Sequence, residues 1–278
     1  MKFTPREIKE NVNISQTSAI REFFVLTSSI LGILIAIYLA LGFSLDILVD
    51  KIPLKTEKKL ADFFSRQFYF DKNRSSEEEY IQKLLDDLVA NMPEASYKFN
   101  VHIVPAKETN AFAFPGGHIL VNTALIEEIG SENELSMVLA HELGHYVHRD
   151  HLRGLGRGLV LTVFSIFLFG NDSEVTQFLM RVLLTTDLRF SRRQEAFADA
   201  FALELLNKKY GHVAGAADFF KHRMDKEKCP RIMKYFSTHP LYADRISMIN
   251  GEILKKGYKV GEKVPLAPEI KKSESPSG

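Results

Sequence analysis

The string His141-Glu142-Leu143-Gly144-His145 sets two imidazoles at i and i+4, and Glu195 and Asp199 repeat that spacing with two carboxylates. On a helix of 3.6 residues per turn such pairs lie about 40° apart and share a face. His141 and His145 can then hold one tetrahedral ion. Glu142, about 100° round from His141, stands beside that ion rather than on it. A zinc ion there acidifies a bound water, and the neighbouring carboxylate takes its proton. The chemistry expected is metal-assisted hydrolysis of a peptide bond, with Glu142 as general base. Leu139, Ala140, Leu143 and Gly144 make the other side of this helix apolar and small. The helix is therefore expected to be buried, where its polar trio needs a partner that an ion supplies.

Two residues compete for the third ligand position. His151 continues a spacing of His145-x-x-His148-x-x-His151 close to the metzincin pattern, with Met233-Lys234-Tyr235 in the place of a Met-turn. That pattern has glycine where this chain has His148, at a point where the backbone must turn sharply. Glu195 is the alternative, with Asp199 one turn on to accept a hydrogen bond from the far nitrogen of a ligating histidine. Phe197, Phe201 and Leu205 occupy the other side of that helix. His148 lies roughly 10.5 Å along the axis from His141, too far to share its ion. It reads as a polar residue at the end of the site, and Arg149, Asp150 and His151 as an exposed helix end.

The elements that must position these groups are legible from caps and periodicity. Ser75 and Glu78 have capping-box spacing ahead of an apolar stripe over 80–89. Residues 97–104 alternate as a half-buried strand does. Asn110-Ala111-Phe112-Ala113-Phe114, a Pro115-Gly116-Gly117 turn and His118-Ile119-Leu120-Val121-Asn122 predict a hairpin. A short helix is expected over 123–129. Ser131 and Glu134 open the helix that carries His141, which should run to about 148. Further helices are expected over 192–209, stopped by Gly211, and over 213–223 and 243–254. The fold class expected is α+β, mainly helical, with a small antiparallel sheet.

A chain of 278 residues with 36 basic and 35 acidic side chains carries no electrostatic footprint for nucleic acid. Its one cysteine, Cys229, excludes an internal disulfide framework and a cysteine-rich zinc site. The 23 positions between Glu22 and Asp46 hold no charged residue. As a helix they rise roughly 35 Å, enough for a bilayer core of about 30 Å. The run exceeds the ~7–15 apolar residues of a cleaved signal peptide, so a retained anchor touching membrane lipid is expected. Four basic residues on each side leave its orientation open. A second uncharged run over 158–171 is too short to span alone. It reads either as a buried core helix or as a segment dipping into the bilayer. The expected organisation is a polar segment (1–22), a transmembrane anchor (23–45), a charged connector (46–74) with an amphipathic patch over 60–70, a catalytic domain (75–258) and a disordered tail (259–278).

Four motifs in order resemble the HtpX and CAAX-prenyl-protease family of gluzincin metallopeptidases, family M48. They are the 110–117 string, the His141 motif, Phe190-Ser191-Arg192-Arg193-Gln194-Glu195-Ala196-Phe197-Ala198-Asp199, and Ser237-Thr238-His239-Pro240 with Arg245. The resemblance covers about residues 75–255. It implies a gluzincin-type domain with one Zn2+ per chain on His141, His145 and Glu195, and Glu142 as general base and acid. It implies Asp199 behind the ligands, His239 as a donor to the developing oxyanion, and Arg245 orienting that wall or binding substrate backbone. It also implies that Asn110, Ala111, Phe112, Ala113 and Phe114 form the edge strand on which an extended polypeptide substrate lies. Multi-span relatives enclose a chamber, whereas this chain has one clear span. That favours a single-anchored endopeptidase acting on unfolded, damaged or membrane and envelope proteins. The alternatives are a zinc-binding chaperone or assembly factor that rarely cuts, and an aminopeptidase, which an open edge strand disfavours.

Overall fold

The computed structural model describes residues 18–53, 55–57, 74–92, 98–170, 172–177, 190–226 and 242–270. It divides into two units, Met1–Ser44 and Leu45–Gly278. The first contains most of α1 (Ala19–Leu48), a helix of 30 residues. Phe23, Leu26, Ile33 and Leu39 on it are exposed. Among the described residues α1 is the one helix long and apolar enough to cross a membrane. An uncovered apolar surface of this length requires lipid or a protein partner.

The second unit is built around a buried helix. After a 3-10 turn (Val49–Lys51) comes α2 (Ser76–Ala90), capped by Ser75, whose hydroxyl accepts from the Glu78 amide at 3.1 Å. The sheet follows: β1 (Asn100–Val104), β2 (Ala111–Phe114) and β3 (His118–Asn122), in the order β1-β3-β2. β2 and β3 form the expected antiparallel hairpin, with Phe112 opposite Leu120. β1 joins the far side of β3 in parallel, with Asn100 opposite His118. Gly117 in the turn has φ +84, and a Cβ there would stand 2.2 Å from the Lys98 carbonyl oxygen, so no other residue fits. The sheet thus leaves β2 as an edge.

A short helix α3 (Thr123–Glu128) leads to α4 (Glu132–Val147), capped by Ser131. On α4 every residue from Asn133 to Tyr146 is buried. Leu135, Leu139 and Leu143 join Ile81, Leu85, Val121, Leu203 and Leu206 in one core. Then come α5 (Asp150–Phe169), α6 (Arg192–Tyr210), α7 (Asp218–Lys226) and α8 (Tyr242–Lys256). Ser191 and Gln194 form a complete capping box on α6, and Gly211 ends it at φ 71.

Four features differ from the sequence reading. Residues 149–151 are not an exposed helix end: Asp150 and His151 are both 0% exposed. The chain turns there through Arg149, at φ 58, and continues directly as α5. The 158–171 run is therefore mostly the second half of a longer helix. Its far end leaves Ile166, Leu168 and Phe169 exposed, unlike a buried core helix. Residues 213–217 precede α7 as turns, so that helix starts at Asp218. Residues 259–270, expected as a loose tail, pack: Leu266 and Ile270 are buried, and the Val264 amide donates to Asn133 Oδ1 at 2.7 Å. The apolar pair supplies the core contact that the polar composition of this stretch obscures. Cys229, residues 233–235, the 60–70 patch and His239 lie outside the described residues.

Candidate metal centre

Among the described residues α4 and α6 form the most extensive helix pairing, and the site lies along their seam. His141 and His145 project from successive turns of α4, with their Nε2 atoms 3.0 Å apart. Glu195, in the first turn of α6, brings Oε2 to 3.5 Å from His141 Nε2 and Oε1 to 3.7 Å from His145 Nε2. The three side chains are buried and offer one ligand atom each in a single cluster. Ligands of a tetrahedral zinc, at about 2.0–2.1 Å from the ion, are about 3.3 Å from one another. The observed separations bracket that value.

The outer partners identify what the inner atoms must do. His141 Nδ1 donates to Asp199 Oδ1 at 3.0 Å, and His145 Nδ1 donates to Asp150 Oδ2 at 2.9 Å. With both Nδ1 atoms protonated, two Nε2 lone pairs confront each other across 3.0 Å. A cation between them would satisfy both lone pairs, so the donor set fits zinc. Burial first, and then the charges of Arg245 and His145, depress the pKa of His141 to about 4. The ring is thus neutral at neutral pH, as a ligand must be.

Arg245 reaches in from α8 and is itself buried. Its Nη2 and Nε donate to the two oxygens of Asp199, the latter at 3.1 Å, and its Nη1 lies 3.0 Å from Glu195 Oε2. The guanidinium also lies over the Phe220 ring, 4.0 Å from its centroid. Burial acts to raise the Asp199 carboxyl, but the Arg245 charge and the His141 hydrogen bond outweigh it and hold the group below its usual range. Arg245 thus engages both carboxylates, and its Nη2 also comes within 3.1 Å of His141 Nδ1.

Glu142 Oε2 accepts a hydrogen bond from the Ala113 amide at 3.0 Å. The pairing of β2 with β3 alternates, so the amides of Ala111 and Ala113 point away from β3, toward the open edge. The carboxylate of the residue that follows the ligand His141 thus reaches this edge of the strand. Ala111 and Ala113 are buried against the core, where α4 packs on β2. Phe114 is buried and Phe112 partly so. Asn110 accepts from the Asn122 amide through its carbonyl at 2.9 Å, extending the hairpin by one pair.

Two residues of this centre had no role assigned from the sequence. Asp150 holds His145 and also accepts from His148 Nδ1, at 2.7 Å, and from Gln194 Nε2. Burial pushes its carboxyl up, and the donors from His145, His148 and Gln194 more than reverse this. Phe190 stacks on His145 with centroids 3.9 Å apart. The signal for Asp150 was the crowding of polar residues over 148–151, which only a return of the chain makes intelligible. His151 is not among the ligand residues.

Residues 75–253 match the family described as Peptidase family M48. The chain is 28% identical to the mitochondrial metalloendopeptidase OMA1 of Schizosaccharomyces pombe over 61% of its own length and 51% of that protein's. It is 30% identical to the metalloprotease LoiP of Escherichia coli over 58% of its length and 65% of the relative's. It is 24% identical to the beta-barrel assembly-enhancing protease of Escherichia coli over 70% of its length and 43% of the relative's. The chain thus spans about half the length of these relatives.

Proposed function

Because the chain belongs to peptidase family M48, we propose that it is a zinc-dependent endopeptidase, held at a membrane by α1, that cuts extended stretches of unfolded, damaged or envelope polypeptides. The observation that carries this reading is the seat of Glu142, next to the ligand His141 on α4 and hydrogen-bonded to the outward amide of Ala113 on β2.

Zinc held by His141, His145 and Glu195 would supply Lewis acidity and lower the pKa of a water toward about 7. Glu142 would act as general base toward a water and as general acid toward the leaving amine. The outward backbone groups of Ala111 and Ala113 hold the substrate as an added strand, which selects extended chain and tolerates many sequences. A substrate arriving on this edge replaces Glu142 as the partner of the Ala113 amide and frees the carboxylate for the water. Asp150 and Asp199 fix the tautomers of the two histidines, and Arg245 neutralises the carboxylates behind them. His239 would complete the oxyanion wall, as its place in the sequence motif implies. The placement within the HtpX and CAAX-prenyl-protease branch rests on the four sequence motifs, and the relatives named above carry other names. We take polypeptides as the partners, with no nucleic acid; the exposed apolar end of α5 gives lipid a second surface.

Glu142→Gln tests the reading on the full chain in detergent. The variant should bind zinc as the parent does and lose cleavage of casein. Casein digested by the variant at the parent's rate refutes the mechanism, and a parent that cuts no unfolded protein favours the chaperone alternative. Cleavage of N-acetylated substrate at internal bonds separates endopeptidase from aminopeptidase.

A further inference from the structure

A second knot of buried ionisable groups lies beside the metal centre. Glu57, Tyr146 and His151 are 1%, 2% and 0% exposed. Glu57 Oε1 accepts from the Tyr146 hydroxyl, from His151 Nε2 at 3.3 Å and from the Gly116 amide at 3.3 Å. The Tyr146 and His151 rings stack, 4.4 Å apart and 9° from parallel. Among the described residues Glu57 Oε2 and His151 Nδ1 have no hydrogen-bond partner. A carboxylate taken out of water is unfavourable unless donors replace the solvent, and here the donors come from three parts of the site. Gly116 forms the turn that closes β2, Tyr146 follows the ligand His145 on α4, and His151 follows Asp150.

Glu57 belongs to none of these elements. It sits on the segment leaving α1, and that segment is fastened again nearby. Arg149 Nη1 donates to the carbonyls of Val49 and Ile52, each at 2.7 Å. Arg153 pairs with Asp50 at 2.7 Å and Arg157 with Asp46 at 2.6 Å. The three arginines recur every fourth residue, on one side of the start of α5.

We propose that Glu57 is a positioning residue of the active site: it ties the segment leaving the membrane helix to the β2–β3 turn and the end of the ligand helix, and so fixes the edge strand that grips substrate. The inference rests on the proteolytic reading of the site. It makes the membrane-proximal segment part of the substrate-binding machinery rather than a tether.

The test uses the full chain in detergent, with Glu57→Ala, Glu57→Gln and Tyr146→Phe beside the parent. Hydrogen exchange, independent of activity, should show amides over 112–118 losing protection in Glu57→Ala while those of α6 do not change. For a long unfolded substrate, KM should rise about tenfold, the scale of one lost charge-assisted hydrogen bond. The kcat should hold within about twofold and the zinc content should stay that of the parent. Glu57→Gln, whose amide oxygen still accepts from Tyr146 and Gly116, should recover part of the loss. Tyr146→Phe should cost less in the Glu57→Ala background than in the parent. Unchanged exchange over 112–118, or a defect confined to kcat with loss of zinc, overturns the proposal. A parent that cleaves nothing refutes the proteolytic reading, and the exchange result then still decides whether Glu57 holds the strand.

Discussion

Gly144 on α4 and Ala198 on α6 meet backbone against backbone: a Cβ at position 144 would stand 2.9 Å from Ala198 Cα and 3.2 Å from its carbonyl oxygen. This approach lets two imidazoles on one helix and a carboxylate on another reach a common point. Glu195 precedes Ala198 by one turn, and His141 precedes Gly144 likewise, so the small pair acts as the pivot of the ligand cluster. Gly144→Ala should separate the helices. The expected cost is about 1–3 kcal/mol of stability, as for other overpacked cores, with weakened zinc binding. Thermal melting with and without a competing chelator reads both effects.

The two carboxylates behind the histidines should act alike. Asp199→Asn removes the negative charge from the acceptor of His141, and Asp150→Asn that from the acceptor of His145. Each is expected to weaken zinc affinity by about 10–100-fold, measured by competition with a chromogenic chelator. An effect of Asp199→Asn alone would mean that the α4–α5 corner contributes nothing to the centre.

Arg245→Met leaves Glu195 and Asp199 buried with their countercharge removed. Breaking a buried pair in this way costs about 3–5 kcal/mol. The zinc-free protein should lose most of that stability, and added zinc should restore part of it by compensating Glu195. Equal losses with and without zinc, read from paired melts, would separate Arg245 from the metal centre.

What the sequence disclosed and what it concealed divide along contact distance. His141, His145, Glu195 and Asp199 announce themselves because i, i+4 spacing is local, and the Ser75, Ser131 and Ser191 caps because they act within one turn. The hairpin was readable from its Pro-Gly-Gly turn. Asp150 was not, because its role depends on the chain reversing at Arg149, a non-glycine residue at positive φ. Glu57 was out of reach altogether: its partners lie 59 to 94 positions away, and a glutamate in a charged connector looks solvated. The packing of Leu266 and Ile270 was hidden for the same reason.

Acid should unfold the chain partly through Glu57. Burial raises its carboxyl, but His151, Tyr146 and Gly116 outweigh this and hold it below the usual value. A depressed carboxylate stabilises the fold fully above its unfolded pKa, and that contribution disappears as pH falls through the folded value. Melting temperatures of the parent and Glu57→Gln should therefore differ at pH 7 and converge as the pH drops below about 4. A gap that does not narrow at all between pH 7 and pH 3 would show that the charge of Glu57 is not what stabilises the knot.

Zinc content of the purified full chain, measured by elemental analysis alongside Glu142→Gln and Glu195→Ala, tests the central claim most directly. One zinc per chain is expected in the parent and in Glu142→Gln, and a large loss of it in Glu195→Ala. A metal-free active parent, or a Glu195→Ala variant that keeps its zinc and its proteolysis, would contradict the assignment of these three residues as the metal centre.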